Sequence, residues 1–162
     1  MMKQPTDPLP ALKRPPKFGV YLWWPEEGTS WVHPEDVGLA TSMIPGPRIF
    51  KRTDLDEDYS KLEYGETQIR VRPTLWLEVD ADGYELGDFV EVKSRMGQDE
   101  PLVAEISDIF WNHHTRIIEY YLSSAKKSLP NPYEFAQIQP VQKLDEPMSI
   151  RQMELAAKSR LR

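Results

Sequence analysis

Apolar residues alternate most regularly in the run TQIRVRPTLWLEV. Ile69, Val71, Leu75, Leu77 and Val79 hold odd-numbered positions there, and Gln68, Arg70, Arg72, Thr74, Trp76 and Glu78 hold even ones. A period of two puts the two sets on opposite faces of a β-strand. Pro73 has no N–H for a ladder bond, so the run predicts either an edge strand or two strands meeting at a bend. Shorter runs of the same texture flank it. KFGVYLWW, the turn at Glu26-Glu27-Gly28 and Thr29–His33 predict a hairpin, and Arg48–Arg52 predicts a further strand. Residues 54–66 are acidic and read as turn.

Two stretches carry a helical pattern instead. Pro34, Glu35 and Asp36 stand where a helix N-terminus favours proline and acids, predicting a short helix over 34–43 ended by Ile44-Pro-Gly-Pro47. Near the C-terminus, Ser149 and Gln152 fit a capping box, and Ile150, Met153, Ala157 and Leu161 recur at helical spacing among basic residues. This predicts an amphipathic helix within 142–162. Residues 1–16 hold Pro5, Pro8, Pro10, Pro15 and Pro16 with little to bury, and read as a disordered arm.

Beyond the turn at Asp80-Ala-Asp-Gly83, Leu86–Lys93, Leu102–Trp111 and Arg116–Leu122 read as three successive strands. Tyr133–Ile138 follows as a last strand or helical turn. Alternation in the middle strand breaks at Ser107-Asp108, where one extra residue, a β-bulge, would restore the inward set and bend the strand. Gly87-Asp88-Phe-Val-Glu-Val92, Ala104-Glu-Ile106 with Ile109, and Ile118-Glu-Tyr120-Tyr121-Leu122 resemble SH3-like barrels of the Tudor and KOW sort. The whole chain is also similar to a little-studied bacterial domain family without an assigned activity, through Tyr21-Leu-Trp-Trp-Pro25, Trp31-Val-His-Pro-Glu-Asp36 and Arg72-Pro-Thr-Leu-Trp76. The expected fold is mostly β (α+β): an N-terminal hairpin, helix and strand segment (17–84) packed on an SH3-like β-barrel (85–141). The C-terminal helix (142–162) would close it.

Composition narrows the chemistry. With 20 Lys+Arg against 26 Asp+Glu the net charge is −6, which disfavours a general nucleic-acid binder. The absence of cysteine removes disulfides, thiolate nucleophiles and Cys-ligated metals. The N-terminal residues show no apolar signal region, and no stretch approaches the ~18 apolar residues of a membrane span, so a cytoplasmic protein without a membrane partner is expected. No motif of a nucleotide-binding loop, a hydrolase elbow or an H-E-x-x-H zinc site occurs.

Several clusters invite chemistry. Asp54, Asp56 and Asp58 match the start of a calcium loop, but Tyr59 stands where that loop needs glycine and Gly65 where it needs glutamate. Asp80 with Asp82-Gly83 fails similarly, and solvated turns explain both. His113 and His114 adjoin at a hairpin tip, and His33 lies near Glu35 and Asp36; no metal or other cofactor is expected from either. Arg70, Arg72 and Trp76, with Arg48, Lys51 and Arg52 nearby, form a basic aromatic face suited to anions or single-stranded nucleic acid. The bland alternative pairs these arginines with the acids of 54–66. Phe89, Trp111 and Tyr121, joined by Tyr84, are expected opposite the barrel core. The Tudor-like resemblance implies an aromatic site there for cationic or peptide groups, although such rings pack at inter-domain seams as readily.

The expectation from sequence is a non-enzymatic module for a protein or peptide partner. The alternatives are nucleic-acid or anion binding at Arg70, Arg72 and Trp76, and a carboxylate-dependent enzyme. Self-association to a homo-oligomer stays open.

Overall fold

The hydrophobic alternation builds two antiparallel five-stranded sheets rather than one sheet and a barrel. The computed structural model describes residues 14–81, 83–93, 102–125, 127–141 and 158. Sheet 1 contains β1 (Lys17–Val20), β2 (Phe50–Asp54), β3 (Ser60–Tyr64), β4 (Thr67–Val71) and β5 (Leu77–Glu78), in the order β4-β3-β2-β1-β5. Sheet 2 contains β6 (Phe89–Val92), β7 (Leu102–Asn112), β8 (Ile117–Ser124), β9 (Lys127–Ser128) and β10 (Ile138–Pro140), in the order β10-β6-β7-β8-β9.

The run around Pro73 divides into two strands, as the missing donor requires, but they do not meet at a bend. β4 and β5 stand at opposite edges of sheet 1. Residues 72–76 therefore cross the sheet face. Pro73 lies beside Ser60 of β3, the Thr74 carbonyl faces Arg52 of β2, and Trp76 lies over Gly19 of β1. The predicted single apolar face is correspondingly split. Ile69 and Val71 enter one core, Leu77 and Val79 pack on the other, and Leu75 is 82% exposed.

Each face of sheet 1 has its own cover. Leu62, Ile69, Val71 and Phe50 are buried beneath the 21–46 segment, with Tyr21, Trp31 and Val32 against them. This segment holds a 3₁₀ turn at Pro34–Asp36 and helix α1 (Val37–Met43), close to the expected 34–43. The expected hairpin between 17–24 and 29–33 does not form: β1 pairs with β2 and β5 instead. Val32 makes an isolated bridge to Val71. The acidic 54–66 stretch contains β3, whose Ser60, Leu62 and Tyr64 alternate inward. From the other face of sheet 1, Val20 joins the core of sheet 2, with Phe18 and Leu77 packed against it.

The SH3-like barrel is corrected to an open sheet. β10 and β9 end it on opposite sides with three and two residues, too little strand to close it. The slip in β7 register falls between Ile106 and Asp108, at the expected bulge. It bends the strand, but closure is replaced by a second layer. Ile49 donates its N–H to the Ile109 carbonyl and Trp111 donates to that of Pro47, so the chain entering β2 first lines the free edge of β7. The apolar face of sheet 2 is then buried by Val20, Ile49, Tyr84 and Phe135. A face covered by a neighbouring layer has no apolar surface left to drive it into a barrel. The expected C-terminal helix lies outside the described residues, apart from Lys158, which is helical.

Candidate functional site

Arg70 is committed to structure. Its Nε donates to Asp36 Oδ2 at 2.8 Å and its Nη2 to Asp36 Oδ1 at 3.2 Å, a two-pronged pairing. Nη2 also reaches Glu35 Oε2 at 2.9 Å, and the Arg70 backbone N–H donates to Asp36 Oδ2 at 2.8 Å. The expected partners in 54–66 are not used. Side-chain hydrogen bonding to Arg70 holds the Asp36 carboxyl below its ordinary range, and the reciprocal bond to Asp36 raises the guanidinium further. The pairing clamps the 3₁₀ turn to the edge of β4 and leaves Arg70 little capacity for a ligand.

Trp76 associates with a different arginine. The Arg52 guanidinium carbon stands 4.1 Å from the Trp76 ring centroid, and Nη1 donates to the Thr74 carbonyl at 3.4 Å. Trp76 continues an aromatic string, 5.5 Å from Tyr21, which is 5.5 Å from Trp31. Burial raises the Tyr21 phenol, against the lowering pull of Thr74 and Arg52. Arg72 points elsewhere, its guanidinium 5.5 Å from the Tyr59 ring. The expected Arg70, Arg72 and Trp76 trio is thus three separate environments.

The aromatic trio of sheet 2 is divided as well. Trp111 pairs with Ile118 and packs on the core, opposite to the expected side. Its register partner explains this: once the bulge is counted, Ile109 and Trp111 point inward together. Tyr121 faces outward with its ring tilted against Phe110 at 5.0 Å, while Phe110 packs on the core beneath the 21–46 segment. This is a seam contact. Phe89 is 61% exposed on the outer face. Tyr84 is buried against Tyr120 and Phe135.

Sequence reasoning missed a cleft of about 260 Å³ between the sheets. Phe18, Ile49, Ile109 and Ile118 give it an apolar floor, and Tyr64, Tyr84 and Tyr120 add rings. Around the mouth stand Glu63, Glu66 and Glu85 with Lys51. Lys51 pairs with Glu85 at 3.7 Å, and Glu63 with Lys61 at 2.8 Å. Gly65 adopts φ 61° in the β3–β4 turn and brings the backbone against Leu86. The residues come from six separated segments, so no local spacing announces them.

A model of DUF6960, a family of unknown function, matches residues 9–139. The chain belongs to this family. No curated protein matches the chain, and no solved structure does. The three phrases that carried the resemblance to a domain family all lie within the matched DUF6960 span, and their Tyr21, Trp31 and Trp76 form the aromatic string over sheet 1.

The remaining clusters of this DUF6960 chain form turns and caps. Asp56 Oδ1 accepts the N–H groups of Asp58 and Tyr59, both at 2.8 Å, which makes 56–59 a side-chain-stabilised turn. His33 Nδ1 accepts from the Glu35 N–H at the 3₁₀ turn. His113 and His114 stand 6.4 Å apart in the turn after β7, where Asn112 Oδ1 accepts from the His114 N–H. Among the described residues no group of three His, Asp or Glu side chains is gathered as a metal site requires. Nor is any described helix long and apolar enough to cross a membrane.

Proposed function

We propose that this protein is a non-enzymatic interaction module that takes a lysine or arginine side chain of a protein or peptide partner into the cleft between its sheets. The observation that carries this reading is the division of the cleft wall. Phe18, Ile49, Ile109 and Ile118 line its depth, while Glu63, Glu66 and Glu85 outnumber Lys51 at its mouth. A long cationic side chain divides the same way, with an apolar stem and a charged head. Tyrosine rings in the wall add favourable faces for the cation. The volume of about 260 Å³ falls below the roughly 300–1,000 Å³ of small-molecule sites. It suits one side chain better than a whole metabolite. The cysteine-free chain is compatible with the cytoplasm, where the module is taken to act.

Amide NMR titration with acetyl-Gly-Lys-Gly-amide and its glutamate counterpart tests the reading. The lysine peptide should shift Gly65 and Glu66 saturably, and the glutamate peptide should not. Glu66→Lys, at an exposed position, should remove the response with the melting midpoint unchanged. Equal responses to both peptides, or none to either, would refute the module as described.

A further inference from the structure

The crossing segment 72–76 closes a second, smaller pocket on the opposite face of sheet 1, with a volume of about 150 Å³. Its floor is Arg52 and Ser60, its walls are Pro15 and Pro73, and Arg14, Lys17 and Asp54 stand at its rim. We propose that this pocket binds a phosphate monoester group, with Arg52 and the Ser60 hydroxyl as its inner donors and Lys17 and Arg14 as its outer cations.

Three observations converge on an anion. Arg52 is held in place before any ligand arrives, stacked on Trp76 at 4.1 Å and hydrogen-bonded to the Thr74 carbonyl. Among the described residues it has no carboxylate within ion-pair distance, whereas Lys17, Lys51, Lys61 and Arg70 each have one. A guanidinium fixed by an aromatic face keeps its N–H edges for an oxyanion and loses little freedom on binding it. Ser60 is 6% exposed and lines the pocket, so its hydroxyl is placed to offer a ligand oxygen a hydrogen bond at little conformational cost. Arg14, Lys17 and Arg52 also outnumber Asp54. Lys17 is shared with Glu78 at 3.4 Å, an exposed pair that exchanges at little cost.

Phosphate fits this arrangement better than a carboxylate does. Donors come from β1, β2, β3 and the leading segment, and a tetrahedral oxyanion with three terminal oxygens can use more of them than a planar carboxylate with two. A terminal monoester also fits better than a nucleic-acid strand. A strand needs a row of free cations, yet Arg70 is bound by Asp36 and Glu35, and Arg72 is turned to Tyr59.

Calorimetric titration of the full chain with O-phosphoserine, inorganic phosphate and matched chloride at constant ionic strength tests the site. O-Phosphoserine and phosphate should bind at one site and chloride should not. Arg52→Gln should weaken binding about tenfold or more, as loss of a charge-assisted fork implies. Lys17→Gln, at an exposed position that leaves the core untouched, should weaken it several-fold with an unchanged melting midpoint. A single-stranded oligonucleotide should bind only when it carries a 5′-phosphate. The proposal is overturned if phosphate binds no better than chloride, if Lys17→Gln and Arg52→Gln both bind like the parent, or if the unphosphorylated oligonucleotide binds equally well.

Discussion

The Tyr64 hydroxyl on β3 donates to Asp108 Oδ1 at 2.8 Å and accepts the Ile109 N–H at 2.9 Å, at the point where the bulge interrupts β7. One phenol thereby fastens sheet 1 to sheet 2. The bulge turns Asp108 and the Ile109 N–H toward a neighbour that can use both, so the irregularity of β7 is also its attachment.

Tyr64→Phe should keep the ring packing and leave the Ile109 N–H and the Asp108 carboxylate without their shared partner. The expected loss is roughly 1–3 kcal/mol, read by denaturant unfolding at pH 7. The cost should shrink in alkali. Burial, the largest cause, raises the Tyr64 phenol above its ordinary value. The unfolded chain therefore ionises first, near pH 10, and the folded state loses stability as pH rises beyond that. The Phe variant lacks this liability, so its unfolding curve should approach that of the parent above pH 10. A constant gap from pH 7 to 11 would contradict the assignment.

The bulge was legible because Ala104 and Ile106 sit on one parity and Ile109 and Trp111 on the other. The 34–43 turn and helix were legible through proline and acids at their start. The destination of each strand was not. Alternation states which residues share a face, but it is silent on which layer that face meets. Ile69 and Leu77 belong to one sequence pattern and to two cores, since the crossing at 72–76 carries the chain between opposite sheet edges. Barrel closure failed as an expectation for the same reason: Val20 and Ile49, which help cover sheet 2, are remote from it in sequence. The cleft and the Arg52 pocket are likewise assembled from distant segments. Arg52 reads as one more basic residue until Trp76 is found beneath it.

Gly19→Ala should disturb the crossing directly. A Cβ on Gly19 would stand 2.6 Å from Trp76 Cδ2 and 2.7 Å from the Leu77 carbonyl oxygen, and the second of these is backbone. Overpacking of this kind costs about 1–3 kcal/mol. Trp76 should be displaced with it, which loosens its stacking on Arg52. The variant should show a lower midpoint and altered tryptophan emission, and weaker phosphate binding if the second pocket is as described. An unperturbed emission spectrum would place Trp76 elsewhere in solution.

Asp36→Asn tests the clamp on the edge of β4. Hydrogen bonding to Arg70 depresses the folded-state pKa of Asp36, so its contribution is present above the unfolded value of about 3.9 and is lost as pH falls through the folded one. At pH 7 the variant should melt roughly 3–6 °C below the parent. The two midpoints should converge in acid, once the parent carboxylate is protonated. Equal midpoints at pH 7 would show that the bidentate pairing with Arg70 adds nothing to the fold.

Trp111 and Phe89 provide the sharpest contrast between expectation and structure. Trp111 packs inward with Ile109 and Ile118, so Trp111→Ala should open a cavity and cost about 2–4 kcal/mol, somewhat less than a fully buried tryptophan. Phe89 is 61% exposed and pairs with Glu105 on the outer face. Phe89→Ser should change stability by less than about 0.5–1 kcal/mol. Tyr121→Ala should fall between them, because its ring contacts Phe110 while the strand beneath stays paired. Side-by-side denaturant curves order the three. If Trp111→Ala matched the parent, its ring would face solvent and the bulge would not have reset the register of β7. If Phe89→Ser proved as costly as Trp111→Ala, Phe89 would not stand on an open outer face of sheet 2.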